Sequence, residues 1–552
     1  MGLKQQPARA TVGTHEDREP TTMQTHPAST APPELPAPPP SAPLAAVARV
    51  AAGVLLALTQ GFGLHLVNNN LADVQGSLGA TLAEAGWLTT AYFSTGLWAT
   101  LLMTKIRLHV GLRAFTVVSL WLFLAISALH LLTDNLASAI AVRAALGVAA
   151  APLSTLAVFY MMEAMPQKLA PLALLIGFAC LQLPGPLSRV IAPELLAAGR
   201  WHGLFLLDVA LALLSVAAIH ALPLAAQPRK PALERGDLLP FLLYATGLAL
   251  LCVTLSRGRL AWWTDSAWLG WCLALAIGAI ALYAIIDLHR ANPLLDLRWL
   301  CSPYMLRFVL AVLLFRIVLS EQTLGVVGLL LALGQSNTQM RTLFTLASIG
   351  LLGGFALSIV VAARRGVPLL SVLAVVLVLL AAWIDSDATA LSRPEQFYLS
   401  QTLLSVGLGL FFAASLLQGL GPVMEDGGRQ LVSFLAAYSA AQFLGSLLGS
   451  ALINTLIAQR QSFHYAALAE HLAFGDPQVT LRLAQLAGSV ARVVSDPAAR
   501  AQQGLALLQQ QVSREAIVLA YNDLFAYTAV LAGAMFLWLS VLAMRALRRQ
   551  SV

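Results

Sequence analysis

From Ala45 almost to the C-terminus, apolar stretches of about 20 residues follow one another, separated by short loops that hold most of the lysines and arginines. The hydrocarbon core of a bilayer is roughly 30 Å thick, and a helix needs about 20 mostly apolar residues to cross it. Inside lipid every backbone N–H and C=O must find its partner within the protein, so single stretches of this kind fold as α-helices. Of the 552 residues, 58% are hydrophobic and 11% charged, and the mean hydropathy is +0.77. Soluble domains carry about 25% charged residues. The chain therefore reads as an all-α integral membrane protein with few residues left for a soluble domain.

Spans are expected near residues 45–68, 85–104, 114–132, 136–160, 172–191 and 203–222, then 238–255 and 268–286, then 308–333, 343–363, 369–384, 397–420, 431–457 and 519–544, a total of ~14 by the length rule. The first group occupies 45–222, a linker with two further spans 223–290, and the last group 291–552. Residues 1–44 are polar at first and then read "PPELPAPPPSAP", a composition that favours extended polyproline conformations and cannot form a core. They are expected to be a disordered cytoplasmic tail. A signal peptide is not expected, because about 40 polar and Pro-rich residues precede the first apolar run.

Orientation follows from the excess of Lys and Arg in short cytoplasmic loops. With the N-terminus inside, the inner loops hold Lys105, Arg107, Arg113, Lys168, Arg229, Lys230, Arg235, Arg290, Arg298, Arg364, Arg365 and Arg429, and the tail holds Arg548 and Arg549. The outer short loops hold Arg200, Arg257, Arg259, Arg341 and Arg393. Both termini are thus expected in the cytoplasm, with the chain in a bacterial inner membrane. The net charge of +7 sits in these loops, so the headgroups of the lipid bilayer are its counterpart and nucleic acid is not. Cys180, Cys252, Cys272 and Cys301 lie in or beside apolar segments, without metal or disulfide spacing. No metal or cofactor is expected. The chain has no GxxxxGK[ST] loop, no metal cluster and no nucleophile motif in a loop large enough to build a site, which argues against an enzyme and against an ATP-driven pump.

One outer connection is long, 458–518, and contains "VTLRLAQLAGSVARVV". Leu483, Leu486, Val490 and Val493 fall at helical spacing, which predicts an amphipathic helix over the outer face. Two roles suit it: a dock for a partner such as a periplasmic adaptor protein, or a cap folded on the chain's own membrane part. The cap is favoured because such helices usually bury their stripe locally.

The order of several short marks resembles the major facilitator superfamily, specifically its fourteen-spanner drug:proton antiporter branch. These marks are "GWLTTAY" opening the second span, "VRAALGVAAAPL" with Gly147 in the fourth, "PGPLSRV" in the fifth and "WHGLFLLDVAL" opening the sixth. "RANPLLDLRWL", "LLSVGLGL", "RQSFHYAAL" and "REAIVLAYNDLFAY" follow in order. The resemblance implies two six-helix halves with two extra helices inserted between them. It further implies a substrate site near the midplane around which the halves rock.

Departures from the branch are as informative. Where its first span holds an acid, this chain has Gly63. In the loop after the second span, "TKIRLHVGLR", Gly111 and Arg113 match, but Thr104, Leu108 and His109 replace a glycine, an acid and an arginine. Gly185 and Pro186 match the fifth-span motif, whereas Arg189 and Val190 replace a glycine pair. In the thirteenth span, Gly445 and Ser446 match and Ala441 stands for an arginine.

Ionisable side chains within a span are costly, about 2.5 to 3.5 kcal/mol on insertion scales for Arg, Lys or Asp, so they mark water-filled cavities or proton paths. Here they are His65, Arg143, Arg189, Glu194, Asp208, Arg316 and Glu321. In "GFGLHLVNNN", His65 shares a helix face with Asn68 and Asn69. A histidine titrates near pH 6.5, which suits a proton carrier replacing the acid missing at Gly63. The alternative is a structural histidine bonded to a neighbouring helix. Arg143 matches the arginine that the branch links to proton coupling, and it lies about seven residues, or ~10 Å, into its span. Asp208 stands where the branch has asparagine and is either a relocated proton site or a hydrogen-bonded carboxylate near the interface. Arg316 and Glu321 are either separate functional groups, with Glu321 the titratable one, or a structural ion pair. Arg189 and Glu194 lie near the outer end of their span, where snorkelling is easy.

The expected function is export of small amphipathic or aromatic organic molecules in exchange for protons. Two alternatives stay open: an importer or transporter driven by another gradient, because the first-span acid is absent, and a membrane scaffold or sensor without transport.

Overall fold

The computed structural model describes residues 43–550 apart from 167–168, 200, 226–228, 230–232, 426–429 and 473–474. Nearly all of the expected tail, together with Lys168, Arg200, Lys230 and Arg429, lies outside them. Thirteen of the described helices are long and apolar enough to cross a membrane. Two ends of the molecule can be told apart by content: a basic end, with Lys105, Arg107 and Arg113, and a long-loop end, with residues 458–518.

The first bundle comprises α1 (Pro43–Asn69), α2 (Leu71–Leu78), α3 (Leu82–Val110), α4 (Leu112–Leu129), α5 (Leu136–Ala164), α6 (Ala170–Gln182), α7 (Pro184–Gly199) and α8 (His202–Ala221). Its helix ends follow local chemistry. Thr81 and Glu84 form a reciprocal capping box at the start of α3, and the Asn135 side chain caps α5. Gly111, at φ +95°, makes the corner between α3 and α4; a residue with a Cβ is strained there. The fifth expected span, 172–191, is in fact two helices in line, because Pro184 removes a backbone donor. The second expected span, 85–104, is fully helical as part of α3, yet it is not among the thirteen. Thr89, Thr90, Ser94, Thr95, Thr100 and Thr104 lower its hydropathy. Several of these hydroxyls bond carbonyls of α3 itself, as Thr100 and Thr104 do, so the helix stays intact while its surface turns polar.

Helices α9 (Leu238–Arg257) and α10 (Ala267–Leu288) pack on each other, and α9 also packs on α3 and on α17. The second bundle follows a short α11 (Leu297–Leu300). It comprises α12 (Pro303–Ser320), α13 (Val327–Ala332), α14 (Arg341–Arg365), α15 (Val367–Asp385), α16 (Tyr398–Glu425), α17 (Leu431–Glu470), α18 (Pro477–Ser489) and α19 (Pro497–Gln550). A π-helical turn, Glu321–Val326, joins α12 to α13.

Each bundle has its own apolar core. Leu120, Phe123, Leu146, Leu153 and Tyr160 centre the first; Phe315, Leu404, Phe411, Phe412 and Phe434 centre the second, where Phe315 and Phe411 stack at 3.6 Å. Lipid is as apolar as leucine, so close backbone approach replaces hydrophobic exclusion as the adhesive between helices. Gly147 shows this: a Cβ there would collide with the Tyr92 carbonyl and the Thr95 hydroxyl of α3.

The segment 458–518 is mostly helical, since α17 runs to Glu470 and α19 starts at Pro497. The amphipathic stripe is shorter than its spacing implied. Leu483 and Leu486 lie on α18, but Val490 and Val493 fall in the turns after it, and Val493 is 89% exposed. α18 packs against α19, with the Cβ position of Gly504 only 3.1 Å from Ala487 Cβ.

Candidate functional site

Arg143, on α5, is 1% exposed. Its Nη1 donates to the Gly63 carbonyl at 2.7 Å, and its guanidinium lies over the Tyr92 ring, 4.6 Å from the centroid. Asp208, on α8, is equally buried, and neither carboxylate oxygen has a hydrogen-bond partner among the described residues. A Cβ added at Gly63 would lie 3.9 Å from Asp208 Oδ2. The position where the antiporter branch carries an acid is therefore faced by an acid from another helix. Arg143 and Asp208 are within electrostatic reach of each other, although the hydrogen bonds of Arg143 go to Gly63 and, at 3.5 Å, to Asn68.

The stripe on α1 divides between neighbours. Asn69 Nδ2 donates to the Gly185 carbonyl and to Ser188 Oγ, both at 2.8 Å. Asn68 Oδ1 accepts from Thr89 Oγ1 at 3.0 Å. These amides are thus engaged with α7 and α3. The His65 ring packs beside Gly185, whose Cβ position lies 3.8 Å from ring atoms Cε1 and Nε2. The charges that reach this ring are Arg316, from the second bundle, and Arg189.

The two bundles are tied at the long-loop end. Arg189 Nη1 donates to Asn337 Oδ1 at 3.1 Å, and Asn337 Nδ2 donates to Asn70 Oδ1 at 2.9 Å. Arg189 also lies over the Phe344 ring of α14, 5.2 Å from its centroid. Glu194 pairs with Arg341 at 2.6 Å in an exposed position, where an ion pair contributes little.

In the second bundle Arg316 and Glu321 do not pair, because five residues place them on different faces of one helix. Glu321 is fully buried, and its Oε1 accepts from Gln401 Nε2 at 3.3 Å. The same Nε2 donates to Asp385 Oδ2 at 2.8 Å. Glu321 Oε2 and Asp385 Oδ1 have no partner among the described residues. The π-turn begins at Glu321, and such turns are frequent at functional sites. Asp385 escaped the sequence reading. It closes an apolar span just before "SD", where a carboxylate is ordinarily solvated; the packing of α16 against α15 brings Gln401 onto it. Arg316 points elsewhere: its Cζ lies 5.9 Å from the Phe412 centroid, and its Nε has no partner among the described residues. Gly445 of α17 approaches so closely that a Cβ there would be 2.7 Å from Arg316 Cβ.

At the basic end, Gly111 packs on the Arg229 side chain and Arg113 is exposed. The acid absent at Leu108 has a counterpart on another element. Asp237, just before α9, takes Lys105 Nζ at 3.2 Å and Arg290 Nη2 at 2.5 Å. Gly185 and Pro186 lie in the first turn of α7. Here Pro184 packs so tightly on α1 that a side chain at Gly61 would overlap it.

A family model described as Major Facilitator Superfamily matches residues 53–333. No curated protein matches the sequence. Among solved structures, the fold is similar to that of tetrameric PepTSo2, with 16% identity over 92% of this chain and 100% of that one and a TM-score of 0.54. It is also similar to a bacterial homologue of the human drug peptide transporters PepT1 and PepT2, with 13% identity over 92% of this chain and 100% of that one and a TM-score of 0.54. The human organic anion transporter MFSD10 (TETRAN) matches with 15% identity over 90% of this chain and 100% of that one, at a TM-score of 0.52. At these identities the likeness concerns the fold alone.

Proposed function

The chain belongs to the Major Facilitator Superfamily, and on that premise we propose that it is a secondary transporter that exports small amphipathic or aromatic organic molecules in exchange for protons. One observation carries the proton half of this reading. The Asp208 carboxylate is buried without a hydrogen bond among the described residues and faces Gly63, where the antiporter branch carries its acid. An ionised carboxylate in such surroundings is costly unless it is paired or takes up a proton. Arg143 is near enough to compete for it. When Asp208 is protonated, Arg143 rests on the Gly63 carbonyl and ties α5 to α1, as in this structure. Loss of the proton draws the guanidinium toward Asp208 and loosens that tie. The proton thereby acts on the packing of α1, and α1 carries His65 and meets α7.

Export is supported by the Gly185 and Pro186 match to the antiporter motif, and the tie at Asn337 suits one end state of alternating access. The orientation that we propose puts the long-loop end outside and both termini in the cytoplasm. The contact of α18 with α19 supports the cap over the adaptor dock. The test is counterflow in proteoliposomes containing the full chain, with an imposed pH gradient and a panel of lipophilic dyes and drugs. Movement of at least one compound that stops when a protonophore collapses the gradient is expected. Transport indifferent to the gradient would sink the proton reading, and no transport across the panel would sink the exporter.

A further inference from the structure

Arg316, on α12, has aromatic company, the Phe412 ring and Tyr438, and forms no ion pair among the described residues. Its side chain is partly exposed, while its Nε is buried without a partner among the described residues. His65, on α1 of the first bundle, is likewise partly exposed, and the charge of Arg316 reaches it. The neighbours of Arg316 on its own bundle are the Phe412 ring and Tyr438. Tyr438 in turn meets Phe178 of α6 edge-on at 6.1 Å, which places it at the seam between bundles. Gln442, one turn further along α17, has its Oε1 buried without a partner among the described residues. The nearest acid in sequence, Glu321, is taken up by Gln401 beside Asp385.

A guanidinium is charged at every accessible pH, and burying one without an anion is expensive. We propose that this charge is complemented by the transported molecule, so that the substrate class is organic anions: a carboxylate or sulfonate held by Arg316, on an aromatic or aliphatic body laid among Phe178, Phe412 and Tyr438. A planar anionic group can take two parallel N–H bonds from one guanidinium. A cationic substrate would meet the charge of Arg316, and like charges exclude it. In this structure Phe178 and Tyr438 are in contact, so a ligand enters between them when the bundles part. The inference rests on the transporter reading but not on the identity of the proton site.

Three naphthalene probes of matched shape test it on the purified full chain: naphthalene-1-sulfonate, the neutral naphthalene-1-sulfonamide and the cationic 1-naphthylmethylammonium. Binding is read from tryptophan fluorescence, and transport from proteoliposomes under a pH gradient. The sulfonate is expected to bind at least tenfold more tightly than the other two. Arg316→Met should abolish that preference, and Arg316→Lys should keep part of it, since lysine restores the charge but not the fork. Equal or better binding of the neutral or cationic probe, no binding of the sulfonate, or an unchanged preference in a folded Arg316→Met protein would overturn the assignment. Gradient-driven transport of the cation or amide alone would remove the anion specificity and keep the proton-coupled transporter. Sulfonate binding with no gradient-driven movement would do the reverse.

Discussion

Arg143 gives its 2.7 Å hydrogen bond to the backbone carbonyl of Gly63 and leaves the Asp208 carboxylate, 3.9 Å from where a Gly63 side chain would begin, without a donor among the described residues. An acid on residue 63 and the acid on residue 208 would occupy nearly the same space, so they are exchangeable by design. Asp208→Asn is expected to lower gradient-driven transport by about tenfold or more, a loss of ~1.4 kcal/mol or greater in coupling. Gly63→Asp combined with Asp208→Asn should recover a substantial part of it. The new Cβ would be 3.2 Å from Phe123 Cζ, so that ring must yield slightly, and recovery should be partial. A folded double variant no better than Asp208→Asn alone would mean that residue 63 and residue 208 do not share a role.

His65 tests the division of labour between proton and substrate. The charges that reach its ring are those of Arg316 and Arg189, which groups it with the proposed substrate residues. His65→Ala should change the apparent affinity for substrate by several-fold while the pH profile of transport keeps its shape. If the pH profile flattens and affinity is untouched, His65 is the proton carrier after all.

Gln401 holds two carboxylates with one amide nitrogen, at 3.3 Å from Glu321 and 2.8 Å from Asp385. Removing a shared donor leaves buried acceptors unsatisfied, at a cost of about 1 to 3 kcal/mol for each neutral group and more for a charged one. Gln401→Leu is therefore expected to lower the melting temperature of the detergent-solubilised protein by several degrees. Asp385→Asn, which removes one of the two acids, should be tolerated far better. The reverse ranking in thermal melts would show that the amide is dispensable and the acid pair is not.

Topology is open to a direct measurement. Reporter fusions after Val552 and within residues 458–518 should give signals from opposite sides of the membrane, the first from the cytoplasm. Two signals from the same side would contradict the odd number of crossings that α19 requires between them.

Much of the fold is legible in the sequence because lipid leaves a span few choices: long apolar runs must be helices, and basic loops separate them. α3 is the instructive departure. Its threonines and serines bond carbonyls of their own helix, so hydropathy falls while the helix persists. Which residues carry charge within spans is also legible for the most part, Asp385 at the end of α15 being the exception. Their pairing is not, because it is decided between helices. Spacing sets Glu321 against Arg316, five positions before it, but its neighbour is Asp385, brought in by α15 and bridged by Gln401 of α16. Likewise, Val490 and Val493 kept the helical spacing of Leu483 and Leu486, yet α18 stops at Ser489. Periodicity alone gave no sign of that stop.

Asp237 is gripped by Lys105 from α3 and by Arg290 from the chain beyond α10. All three side chains are largely buried, and pulling one partner away would strand the others. When one bundle tilts against the other, α9 and α10 must then travel with α3, as passengers of the first bundle. In that movement the slip is taken up where α3 and α9 meet α17, a surface crossed by the Phe93–Phe443 ring contact and by the Trp263 Nε1 bond to Thr455 at 2.9 Å. The inserted pair is in this sense a bearing. Its smoothness against α17 sets how freely the transporter can cycle.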